Sequence, residues 1–149
     1  MSDGVAPASV RVTVTVAVPP VEAFRVFTGD FGEWYRSGSA ALGRRGGISG
    51  VLAFEPGPSG RLVELRDGDE PAVLADVVVW DPGARLVFVD RRRTEVDVSF
   101  VAVPEGTRVV LEHRGLDRLP PGEATDIVRC GWRRLADWFE FHLETRSTP

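Results

Sequence analysis

Two histidines, one cysteine and several strand-borne carboxylates are the groups in this 149-residue chain with the chemistry to move protons or hold a metal. His113 stands in "TRVVLEHRGL" (107–116). There Thr107, Val109, Leu111 and His113 point to one side of an expected strand, and Arg108, Val110, Glu112 and Arg114 to the other. His113 therefore ends the more apolar row. Inside a cavity it could hydrogen-bond a ligand carbonyl or hydroxyl, or exchange protons near neutral pH. Alternatively, it is a polar residue bonded to backbone or a carboxylate where the strand ends. No acid or nucleophile lies at a spacing that would complete a catalytic set around it. His142 falls near the end of the last expected helix, on a partly exposed turn. Cys130 lies on the same helix, about 120° from His142 around its axis. With no second pair of ligand types, neither a metal nor any other cofactor is expected.

Glu64, Asp76, Asp90, Glu95 and Asp97 all fall on expected strands. Glu95 and Asp97 alternate with Val96 and Val98, which suits a solvated face. Asp76 shares a row with Val78 and Trp80. On a concave row it would be a buried charge in need of a partner, an arginine or His113. Two glycine-bearing stretches fail their tests. "GPSGR" is no nucleophile elbow, lacking Gly-x-Ser-x-Gly and a following helix. "GRRGGISG" leads into a strand and carries no lysine for a phosphate.

The elements that must position these groups are readable from period and punctuation. "VRVTVTVAV" (10–18) alternates strictly and reads as a half-buried strand. Pro19 and Pro20 then pre-set a helix over "VEAFRVFT". Asp30 and Glu33 have capping-box spacing for a second short helix, with Phe31, Trp34 and Tyr35 on one face. Residues 36–47 read as a loop. Strands follow at about 48–55, 61–66, 72–80, 85–90, 94–103 and 107–114, joined by turn sequences such as "DPGA" (81–84), whose Pro82 and Gly83 suit a type II turn. From about Glu123 to Glu144 a polar stripe (Arg129, Arg133, Asp137, Glu140, Glu144) opposes an apolar one (Val128, Trp132, Leu135, Phe139), with Ile127 and Trp138 beside it. One long amphipathic helix is expected, lying on a large apolar surface. An α+β domain results, with about seven antiparallel strands curled around the final helix.

Composition narrows the function classes. Hydrophobic content of 43% and charged content of 27% are ordinary globular values. A net charge of −4 argues against nucleic-acid binding, and Arg91, Arg92 and Arg93 are too short a run to overturn that. The sequence contains no Lys, Asn or Gln. A single cysteine excludes an intrachain disulfide and fits a reducing cytoplasm. The N-terminus lacks the basic and apolar regions of a signal peptide, and no apolar run approaches the ~20 residues of a membrane span.

"AFRVFTGDFGEWYR" (23–36), "FEPGPSGRLVEL" (54–65), "VVVWDPGARLVF" (77–88), "LEHRGLDRL" (111–119) and Gly131-Trp132 together resemble, in order, domains of the activator of heat-shock-protein-90 ATPase homologue type. These belong to the SRPBCC superfamily, with the START and Bet v 1-like helix-grip fold. The chain departs from the family in having Trp34-Tyr35 where Trp-Trp is usual and Ser59-Gly60 where Gly-Gly is. The resemblance covers roughly residues 10–143, so one domain over 1–149 is expected, its core about 10–144. It implies a deep, mostly apolar cavity between sheet and helix. Trp34, Tyr35, Phe54, Asp76, Trp80, Phe88, Phe100, His113 and Trp132 are the expected ligand-lining residues, with none assigned to catalysis or metal. The leading expectation is a cytoplasmic carrier or binding module for an apolar or aromatic small molecule. A polyketide cyclase/aromatase-like enzyme and a co-chaperone acting on a chaperone ATPase are the alternatives the resemblance implies, and a homodimer stays open.

Overall fold

A computed structural model describes residues 8–35, 51–65, 68, 70–132 and 134–146. The expected loop at 36–47 and the first residues of the strand expected at 48–55 lie outside them. Seven strands form one antiparallel sheet in the order β1-β7-β6-β5-β4-β3-β2. They are β1 (Ser9–Val16), β2 (Val51–Phe54), β3 (Arg61–Leu65), β4 (Ala72–Asp81), β5 (Arg85–Asp90), β6 (Glu95–Val103) and β7 (Gly106–Arg114). The first strand lies beside the last, so β1 and β2 are the free edges of a curled half-barrel. Helix α1 (Pro20–Gly29) follows Pro19 with proline in its first turn, as the fixed φ of proline favours. Helix α2 (Phe31–Trp34) is a single turn.

The Asp30–Glu33 capping box does not form. Among the described residues the Asp30 side chain makes no cap bond to α2, and its carboxylate meets His142 Nε2 at 3.0 Å. That contact ties the α1–α2 junction to the C-terminal helix. The "DPGA" turn closes as expected: Gly83 takes φ +81° and the Ala84 N–H bonds Asp81 O at 2.9 Å.

Period-2 alternation gives β6 and β7 an apolar concave face and a largely charged convex one. Val96, Val98 and Phe100 point inward beside Leu111 and Val109 of β7, and all are buried. On the convex side, Arg85 binds Asp97 through two nitrogens at 3.1 and 2.7 Å, and Arg114 reaches Asp97, Glu95 and Glu112. Burial pushes the Asp97 carboxyl up, but the bonds from Arg85 and Arg114 outweigh it and hold it below the ordinary range. Glu95 and Asp97 thus occupy the outer face, covered by arginines.

Two irregularities decide which side chains face inward. β4 carries a register shift between Val77 and Val79. Asp76 and Val78 are exposed, while Trp80 packs against the interior. The expected row Asp76–Val78–Trp80 is therefore split by a bulge, and Asp76 stands outside, 3.6 Å from Arg91.

The second correction concerns the final helix. It is not continuous over 123–144. A 3-10 turn (Leu116–Arg118) leads to α3 (Pro121–Asp126), then a π turn (Ile127–Gly131), and α4 (Leu135–Arg146) starts afresh. Trp132 lies between them at φ −110°, ψ 0°. A π turn inserts one residue and moves the facing position from i+4 to i+5. Ile127 is consequently fully buried with Trp132 while Val128 is only partly so, and Phe139 and Leu143 carry the apolar stripe onward.

Candidate functional site

The concave face is lined by aromatic rings at contact distance. Phe31 stacks on Tyr35 at 4.9 Å and meets Phe54 edge-on at 5.0 Å, and Phe54 in turn meets Phe88 at 5.3 Å. Phe24 joins Trp80 at 5.1 Å to Phe100 at 5.3 Å. Tyr35 touches Trp132 at 5.7 Å. The fold thus gathers Trp34, Tyr35, Phe54, Trp80, Phe88, Phe100 and Trp132 into one cluster. Trp34 is fixed within it, its indole N–H donating to Phe27 O at 3.0 Å.

His113 is fully buried at the N-terminal end of the β6 row, where it pairs with Val96. Both ring nitrogens are engaged: Trp132 Nε1–H donates to Nδ1 at 2.9 Å, and Nε2 lies 2.7 Å from Thr94 Oγ1. The Thr94 hydroxyl donates to Asp90 Oδ2 at 2.8 Å. Asp90 also accepts from the backbone N–H groups of Arg92 and Thr94 and from the Arg92 guanidinium, which continues to Glu123 of α3 at 2.8 Å. An indole N–H only donates and a carboxylate only accepts. The chain of bonds therefore has one consistent polarity: His113 is neutral, with its proton on Nε2. Burial pushes its pKa down to about 4, the nearby Asp90 charge opposing and Arg92 assisting.

Sequence reasoning left two polar groups of this interior unassigned. Thr94 lies in the same inward row as Val96, Val98 and Phe100, so both that row and the His113 row end in a polar residue at the same edge of the barrel. That coincidence was available from the alternation alone. Glu64 faces Leu52 across the β2–β3 pair and is fully buried. It shares the inward row of Leu62, two residues before it on β3, so this position too was available from the alternation. Asp76, by contrast, is separated from all of these by the sheet. Among the described residues no group of His, Cys, Asp and Glu is placed to hold a metal ion. No described helix is long and apolar enough to cross a membrane.

A curled sheet, two short helices after its first strand and a C-terminal helix across the concave face agree with the comparisons to known proteins. The family model described as Activator of Hsp90 ATPase homolog 1-like protein matches residues 17–144. The chain belongs to this family. Among solved structures, this Hsp90-ATPase-activator-like domain is similar to protein MLL2253 of Mesorhizobium loti at 20% identity, covering 92% of this chain and 97% of that one, with a TM-score of 0.66. The AHSA1-like protein of Aeromonas hydrophila gives 18% identity, coverage of 93% and 94%, and a TM-score of 0.65. Both likenesses concern the fold. Txn09, an anthrahydroquino-γ-pyrone synthase solved as a complex, is 30% identical over 81% of this chain and 85% of its own, with a TM-score of 0.54. No curated protein matches the chain.

Proposed function

We propose that this family member binds an apolar or aromatic small molecule on the concave face of its sheet, beneath the segment from α3 to α4. The observation that carries the reading is the make-up of that face. It presents contiguous aromatic rings with His113, Thr94 and Glu64 as buried polar groups among them. Such a surface offers stacking and apolar contact over a wide area and a few fixed points for orientation. The printed name of Txn09, whose product is a fused aromatic pyrone, supports the same ligand class. Among the described residues the rings are at contact distance, so a ligand that stacks among them displaces a side chain.

Native mass spectrometry of the protein purified from its own host tests this. A retained small-molecule mass released on unfolding is the expected result. Absence of any retained mass, together with no saturable change in tryptophan fluorescence on titration with two- and three-ring aromatics, would sink the proposal.

The similarity to Txn09 also favours a second reading, a cyclase-like reaction on the bound molecule. Glu64 and His113 are then the groups placed to exchange protons, and Asp76 is not. Turnover of a polyketide-type substrate that survives Glu64→Gln combined with His113→Gln would remove that reading.

A further inference from the structure

His113 Nδ1 carries a lone pair, because its proton sits on Nε2 and is donated to Thr94. A buried lone pair of this kind needs a donor. In this structure the donor is the Trp132 indole at 2.9 Å. Trp132 also stands outside regular structure. It lies between the π turn and α4, off helical backbone angles, whereas Trp34 is tied to Phe27 O. Displacement of the Trp132 ring exposes this lone pair.

We propose that His113 Nδ1 is the polar anchor of the interior site: Trp132 swings aside and a hydroxyl of the aromatic ligand replaces its N–H as the donor to Nδ1. This rests on the interior being a ligand site, and it names the ligand's polar group. A hydroxyl donor is accepted. A carbonyl, ether or carboxylate oxygen is refused, because it would set lone pair against lone pair. Behind Nδ1, the bonds through Thr94 to Asp90 polarise the imidazole and strengthen it as an acceptor for an acidic phenol proton. Burial, which keeps His113 neutral far below physiological pH, preserves this acceptor role.

The test titrates the full chain, with 15N-labelled histidine, with 2-naphthol and with 2-methoxynaphthalene, which keeps the rings and loses the donor. Wild type is expected to bind 2-naphthol about tenfold more tightly, the worth of one buried hydrogen bond. The His113 Nδ1 resonance is expected to move and the Nε2 resonance to stay. Trp132→Phe, which removes the competing N–H and keeps a ring, is expected to bind 2-naphthol more tightly than wild type. The wild-type comparison stands even if that variant fails to fold. Equal affinity for the two compounds overturns the anchor while leaving small-molecule binding intact. A preference for 2-naphthol with an unmoved Nδ1 resonance places the anchor elsewhere and overturns it too. If neither compound binds wild type, the anchor falls, and the binding function falls with it when native mass spectrometry also finds no retained mass.

Discussion

His113 shows how a single proton position organises a site. It makes no exposed contact, yet it joins β7 to the β5–β6 turn through Thr94 and Asp90, and to the C-terminal segment through Trp132. Protonation at Nδ1 would expel the indole N–H, so acid should act here first. The pKa is about 4 in the fold against an ordinary value of 6.5, so the unfolded chain binds the proton more readily. The neutral histidine's contribution is complete above pH 6.5 and is lost as pH falls toward 4. The loss amounts to about 3 kcal/mol over that window. His113→Gln offers an amide N–H to Thr94 and an oxygen to Trp132, but does not titrate. Urea unfolding of both proteins at pH 7 and at pH 4 should therefore show the wild type losing about 3 kcal/mol more than the variant. Parallel losses would mean that His113 titrates as it does in the unfolded chain.

At the scale of elements, what was legible followed the backbone's own periods, and what was hidden came from their interruption. The valine alternation of β1, the Pro19-Pro20 start of α1 and the type II turn at 81–84 are local chemistry, and each forms as its residues dictate. The bulge after Val77 and the π turn at Ile127–Gly131 each insert one residue. Both move side chains between faces, taking Asp76 out of the expected row and bringing Ile127 into the buried stripe. Nothing in the residue types at 77–79 marks an insertion, and only the need to bring Trp132 onto His113 rationalises the one at 127–131. Some tight joins are marked by glycine. Gly106 opens β7 at φ +143°, and a Cβ there would lie 2.2 Å from Val16 O on the neighbouring strand. Gly106→Ala should lower stability by about 2 kcal/mol or more, since it meets backbone and a forbidden φ together. Gly122, in the first turn of α3, has nothing within 4 Å of its Cβ position. Gly122→Ala should stabilise by up to about 1 kcal/mol. Thermal melts of the two variants decide it, and equal shifts would contradict this account of the β1–β7 join.

For the whole molecule, the two faces of the sheet divide the labour between permanence and access. The convex face is cross-linked by arginine–carboxylate pairs spanning β5, β6 and β7, while β6 and β7 are registered from Glu95–Arg114 to Val103–Gly106. β7 is also bonded along its length to β1 on its other side. None of these strands can open without breaking two ladders. The cover on the concave side has no such constraint. Its helices are separated by the π turn, and its polar ties are made by side chains: Trp132 on His113 and Glu123 on Arg92 toward the sheet, and His142 on Asp30 toward the α1–α2 junction. On the proposed reading, a ligand that takes the place of Trp132 reaches His113 when this cover opens while the sheet stays formed. Native-state hydrogen exchange should therefore find two classes of amide. Those of β6 and β7 should exchange only with global unfolding. Those of Ile127–Gly131 should exchange about a hundredfold faster or more, through an opening insensitive to low denaturant. Saturating 2-naphthol should slow the second class and leave the first nearly unchanged. Uniform protection of both would mean that sheet and cover open as one unit, and a ligand would then have to wait for unfolding itself.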